Sequence, residues 1–292
     1  MRWNEDGGVS PDIEDRRGEG GGGFRFGGGG FRLGCGGFIL LAVLSLVFRK
    51  NFFALLDTNS RGPAAVNITR SGPPASRSAE EETRVKFVSF VIEDVQRTWE
   101  KELPKLGGNY RRAKLVLFRD ATRSACGFAE SAMGPFYCPA DEKVYLDLGF
   151  FDELRSRFGA PGAFAEAYVI AHEFGHHVQT LLGIDEKVRR AMAERPSLKN
   201  ELSVRMELQA DCLAGVWGHS TEERNILEKG DAESGLAAAA AVGDDRLQKA
   251  ATGRLHPESW THGSSKARTE WFMQGFRTGQ VGACDTFAHK TR

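Results

Sequence analysis

The chain has 292 residues, 41% of them hydrophobic, which is enough length and apolar content for a sizeable core and excludes wholesale disorder. Lys plus Arg and Asp plus Glu number 39 each, so no net charge draws the chain to nucleic acid or to an anionic surface, and no nucleic-acid partner is expected. Of its 35 glycines, 12 fall between Gly18 and Gly37, so the glycine excess is local.

Residues 1–30 mix charges with the runs Gly20 to Gly23 and Gly27 to Gly30, and are expected to form a disordered Gly-rich tail. Leu33 to Phe48 carries no charge and contains the apolar run FILLAVLSLVF. A helix of that length covers only ~24 Å of a hydrocarbon core of ~30 Å. A membrane segment over 31–56 is therefore expected, with Arg49 and Lys50 snorkelling and Phe52, Phe53, Leu55 and Leu56 completing it. A cleaved signal peptide and a buried core helix compete with this reading; no clear small-residue cleavage site follows. Arginines at 16, 17, 25 and 32 precede the segment, while Arg49, Lys50 and Arg61 follow it, a slight bias toward a cytoplasmic N-terminus.

Residues 57–82, rich in Ser, Pro, Arg and Ala, read as a linker, and 83–292 as the folded domain. Apolar residues at Val85, Val88, Val91, Ile92, Val95 and Trp99 predict an amphipathic helix that Pro104 ends. KLVLF at 114–118 and KVYLDL at 143–148 read as strands, separated by a loop holding Cys126, Gly134, Pro135 and Cys138. Helices are predicted at 151–158, 162–182, 198–217, 221–229, 231–251 and 265–278, giving a predominantly helical α+β fold with a small β-sheet.

Within the second of these later helices, AHEFGHHVQ places His172, Glu173 and His176 in an HExxH arrangement. Histidines four apart share a helical face and can share one zinc ion, with the glutamate beside them as a general base. The helix is apolar around most of its circumference, so unpartnered histidines there would carry a desolvation cost. His177 stands four after Glu173, but no second Glu-x-x-His exists to build a di-iron bundle, so His177 reads as a hydrogen-bonded neighbour.

A catalytic zinc needs a third protein ligand. In RMELQADCLAGVW, Glu207 and Asp211 lie four apart on one helical face, a pair of carboxylates that would repel without a cation nearby. Glu207 is the expected third ligand, and Asp211 the acceptor that fixes the tautomer of a ligating histidine; a salt bridge to Arg205 or to a neighbouring helix is the alternative.

These residues sit in long specific strings. They include MRW, EDRR at 14–17, AMGPFYCPADEKVYLDLGFF at 132–151, GAPGAFAEAYVIAHEFGHHVQTLLGI at 159–184, ELQADCLAGVW at 207–217, THGSSKARTEWFMQGFRTG at 261–279 and CDTF at 284–287. Over nearly the whole chain the sequence resembles the bacterial neutral zinc metallopeptidases with one N-terminal membrane segment and a gluzincin-like site. The resemblance implies a zincin-like domain with Glu207 as zinc ligand and Asp211 in the place of the histidine-orienting carboxylate.

The expected chemistry is hydrolysis of peptide bonds by a zinc-activated water, one Zn2+ per chain, with Glu173 as base and His262 as a donor to the developing oxyanion. The substrate is expected to be a peptide or protein, and the edge of the strand at 144–148 a place for it to pair. An anchored scaffold with structural zinc, or a zinc hydrolase of non-peptide amides, are the competing functions; an intact Glu173 argues against the first. His219, His256 and His289 carry no spacing signal.

Cys126 with Cys138, and then Cys212 with Cys284, are candidate disulfides, with free buried thiols the alternative. If the bonds form, the catalytic domain faces the periplasm or cell exterior of a bacterial inner membrane crossed once.

Overall fold

The computed structural model describes residues 1–19, 78–131, 134–156 and 158–288. The expected membrane segment at 31–56, residues 20–30 and most of the linker lie outside the described residues. Among those described, no helix is long and apolar enough to cross a membrane.

Strands β1 (Ile13–Asp15), β2 (Lys114–Phe118), β5 (Phe136–Cys138) and β6 (Lys143–Asp147) form one sheet in the order β1-β2-β6-β5. The β1-β2 and β2-β6 pairs are parallel, and β5 runs antiparallel to β6. Alternation along β2 and β6 sends Leu115, Leu117, Val144 and Leu146 into the main core, and Val116 and Tyr145 into a small cluster on the opposite face. Strands β3 (Ala121–Ser124) and β4 (Gly127–Glu130) make a separate antiparallel hairpin, joined to β5 by the Cys126–Cys138 disulfide.

Helix α1 (Ala79–Glu102) lays its Val and Trp stripe into the main core. Its N-terminus is capped by Ser78, which accepts from the Glu81 amide, and carries three glutamates that complement the helix dipole. The helix thus starts four residues before the expected domain boundary. After the short α2 (Gly149–Ser156) come α3 (Ala163–Leu181), α4 (Ile184–Glu194), α5 (Lys199–Glu223), α6 (Asp231–Ala241), α7 (Asp244–Thr252) and α8 (Ser265–Thr278). The Trp217 indole donates to Asp94 at 2.8 Å and ties α5 to α1.

Two predicted helices take other forms. The one at 221–229 is absent as a separate element: α5 runs on to Glu223, and the chain then turns through Asn225 in a left-handed conformation. The one at 231–251 is two helices, because the chain leaves helical geometry at Gly243. There Asp244 turns to accept three backbone N–H groups, those of Thr261, His262 and Gly263.

Residues 1–19 are not a disordered tail. Their few apolar groups are placed: Met1 is buried, and the Trp3 ring meets Phe87 at 5.4 Å. Most of their charges are paired as well, with Arg17 only 6% exposed and bonded to Asp15 and Glu81. Polar composition suggested disorder, but strand pairing with β2 and ion pairs to α1 offset the ordering entropy.

Candidate metal centre

Helices α3 and α5 cross where Gly175 faces Ala210; a Cβ on Gly175 would stand 3.0 Å from the Ala210 carbonyl oxygen, so only glycine permits this approach. The crossing sets His172 and His176 of α3 against Glu207 of α5. Nitrogen and oxygen donors of the three lie within 4.8 Å of one another. The His172 Nε2 is 3.2 Å from one Glu207 oxygen and the His176 Nε2 is 3.5 Å from the other. The imidazoles stand edge to face, with centroids 4.9 Å apart.

Both histidines are held by their other nitrogen. Asp211 Oδ1 lies 2.9 Å from His172 Nδ1, and Gln179 Oε1 lies 2.8 Å from His176 Nδ1. The Gln179 amide is itself oriented, since its Nε2 donates to the Met206 carbonyl at 2.8 Å and to Gln209 at 3.0 Å. Its oxygen must therefore face His176. Each Nδ1 thereby carries a proton, so that a metal ion between the rings, in place of a second proton, would meet the lone pair of each Nε2.

Asp211 is fully buried and has four donors: His172 Nδ1, the Tyr168 hydroxyl, and Arg268 through Nε at 2.8 Å and Nη2 at 2.9 Å. Burial alone would raise its pKa, but Arg268 and His172 hold it below the usual carboxylate range. Burial alone would lower that of His172; Asp211 and Glu207 instead push it up to about 10. An imidazole between two carboxylates demands positive charge at its centre, as a proton or as a metal ion. Two Nε2 lone pairs and one carboxylate suit zinc. Glu207, despite burial, is held well below the ordinary range by His176 and His172. Glu173 is buried beside them, and burial pushes its carboxyl up.

The other sequence candidates divide. His177 is fully buried, its Nε2 donating to the Arg111 carbonyl at 2.7 Å and its Nδ1 accepting from Tyr137 at 3.0 Å, so both nitrogens are committed to structure. The ring of His262 is half exposed at the start of α8, with Nδ1 3.2 Å from Asp244, and Asp244 and Glu207 raise its pKa despite desolvation. His219 and His256 face Glu223 and Glu258, and His289 lies outside the described residues. Cys212 and Cys284 form the second disulfide, beside Asp211. Strand β6 offers no free edge, because β2 and β5 flank it; the sheet ends at β5.

Sequence reasoning missed Gln179, Tyr168 and Arg268. Gln179 stands three residues after His176 on the same helical face, a readable signal. Arg268 lies 57 residues from Asp211, and nothing local marks it. It arrives because α5 and α8 pack with their backbones nearly touching: a Cβ on Gly275 would lie 1.9 Å from the Cys212 carbonyl oxygen.

Residues 1–287 match the model of the family described as "Putative neutral zinc metallopeptidase". The chain is similar to the uncharacterized protein YpfJ of Escherichia coli strain K12, with 46% identity over 288 residues, 98% of this chain and 99% of the relative. It is also similar to the uncharacterized proteins Mb2605 of Mycobacterium bovis and Rv2575 of Mycobacterium tuberculosis strain H37Rv, each 42% identical over 246 residues and 80% of both chains. No solved structure matches the chain significantly.

Proposed function

The chain belongs to the neutral zinc metallopeptidase family, and on that premise we propose that it is a zinc-dependent endopeptidase held at the bacterial inner membrane, with its catalytic domain outside the cytoplasm. The observation that carries the reading is the pair of histidines whose Nδ1 atoms are locked by Asp211 and Gln179 while both Nε2 atoms face Glu207. His172, His176 and Glu207 would hold one Zn2+. Bound there, zinc supplies Lewis acidity toward water and the scissile carbonyl.

The chain's own groups do the rest. Glu173, with its basicity raised by burial, takes the proton of the attacking water and delivers it to the leaving amine. His262, oriented by Asp244, donates to the carbonyl oxygen as charge develops. The β5 edge, in place of the strand at 144–148, pairs with an extended peptide. The general base separates this reading from a structural zinc site, which needs none. Two disulfides support an oxidising compartment.

The test compares extracytoplasmic proteomes of cells expressing wild type and Glu173→Gln. Cleavage products present only with wild type are expected; identical proteomes, together with no hydrolysis of a peptide library by the purified zinc-loaded protein, overturn the reading.

A further inference from the structure

His176 is oriented by a chain of buried amides that leaves its own helix. Its Nδ1 donates to Gln179 Oε1 at 2.8 Å, and Gln179 Nε2 donates to Gln209 Oε1 of α5 at 3.0 Å. Gln209 Nε2 in turn donates to the Cys284 carbonyl at 3.0 Å. Gln179, Gln209 and Cys284 are all buried. A backbone carbonyl only accepts. The Cys284 carbonyl therefore sets which way the Gln209 amide faces, and Gln209 presents its oxygen to Gln179. Turned the other way, Gln209 would aim its NH2 group at that of Gln179, leaving buried donors without acceptors.

The carbonyl that ends this chain lies in the short turn Val281–Cys284, which follows α8. Cys212 of α5 is crosslinked to that turn across 72 residues of sequence. Cys212 is also the neighbour of Asp211, the group that fixes His172. One covalent bond thus joins the backbone that orients His172 to the backbone that orients His176. Two further hydrogen bonds seat the same segment at Arg205, close before Glu207 on α5. Thr286 Oγ1 donates to the Arg205 carbonyl at 2.7 Å, and Arg205 Nη1 donates to the Phe287 carbonyl at 3.1 Å.

We infer that the Cys212–Cys284 disulfide is a positioning crosslink for the metal centre, and that Gln209 is a positioning residue for His176. Closing the disulfide seats the Cys284 carbonyl, which orients Gln209, Gln179 and His176 in turn. The inference rests on His172, His176 and Glu207 holding zinc, as proposed above, and it makes zinc affinity depend on the redox state of this pair. Closure is a thiol–disulfide exchange: the two cysteine thiols and an incoming disulfide become the Cys212–Cys284 bond and two new thiols, which carry away both electrons and both protons. In the reduced chain the Cys284 carbonyl is no longer tied to α5, Gln209 loses the acceptor that sets its direction, and zinc is held more weakly.

The test uses the full-length chain in detergent, with zinc affinity read by competition with a fluorescent chelator. Cys212→Ala with Cys284→Ala, and separately Gln209→Leu, should each weaken zinc binding by about tenfold, the lower end of the range for partners that orient a ligating histidine. Gln209→Leu keeps both disulfides and decides the question should the cysteine variant not fold. Cys126→Ala with Cys138→Ala removes the other disulfide, which ties the separate hairpin to β5, and should leave the affinity within twofold of wild type. An equal loss there would make the effect one of general stability and overturn the inference.

Isotope-labelled histidine, read by NMR, supplies a signal that packing alone would not move. In Gln209→Leu the Nδ1–H resonance of His176 should shift or broaden while that of His172 stays in place. An unshifted His176 resonance, or an affinity within twofold of wild type in Gln209→Leu or in the folded cysteine variant, overturns the inference and leaves the zinc site standing. A wild type that takes up no zinc overturns the zinc reading itself, and the inference with it.

Discussion

Arg268 grips Asp211 through two hydrogen bonds, 2.8 and 2.9 Å long, and both side chains are buried. Removing the guanidinium leaves a carboxylate without its permanent cation in the interior, a loss of about 3–5 kcal/mol. Arg268→Ala should therefore lower the urea midpoint strongly. Arg268→Lys should recover part of that loss, but not the paired geometry. A midpoint for Arg268→Ala within error of wild type would show that Asp211 needs no such partner.

His172→Ala with His176→Ala should abolish stoichiometric zinc. Chelation by EDTA should then lower the melting temperature of wild type and leave that of the double variant unchanged, because bound metal stabilises only the state that binds it. Elemental analysis finding about one zinc per chain in the double variant would move the metal elsewhere.

Asp211→Asn and Gln179→Ala should each weaken zinc affinity by roughly 10 to 100-fold, as expected when a histidine loses the partner that fixes its tautomer. Competition with a fluorescent zinc chelator measures both. Affinities within twofold of wild type would reduce these residues to packing.

Glu173→Gln should retain zinc and lose about 10²–10⁴-fold in peptide turnover, the contribution of a general base. Activity near that of wild type would transfer the proton to another group.

Glu166, in the first turn of α3, is pushed up to about 6, chiefly by burial. A carboxyl whose folded pKa is raised adds stability fully below its unfolded value, near 4.5, and loses it as pH rises through about 6. Glu166→Gln should accordingly stabilise the protein at pH 8 by roughly 1–2 kcal/mol and change little at pH 4. Equal effects at the two pH values would mean that its charge carries no penalty.

The grouping of His172, His176 and Glu207 was legible in the sequence because spacing on a helix fixes which side chains share a face: four residues join His172 to His176, and four join Glu207 to Asp211. Strands β2 and β6 were legible because their apolar runs are bounded by polar residues and turns. By contrast, β1 offers a single apolar residue, Ile13, and is a strand only because β2 presents an edge to it. The three-residue β5 is likewise too short for periodicity to register. The break at Gly243 was hidden by the alanine run before it, and it depends on Asp244 meeting amides some 17 to 19 residues downstream. Contacts of this kind depend on tertiary packing, which no local window contains.

The position of α8 so near the end of the chain has a consequence for biosynthesis. The ribosome delivers α3 and α5, and with them His172, His176 and Glu207, well before Ser265. Until α8 docks against α5, Asp211 has no Arg268 to balance it, and the imidazole it orients is not yet fixed. The full set of partners around Asp211 and His172 is therefore complete only when translation is nearly finished.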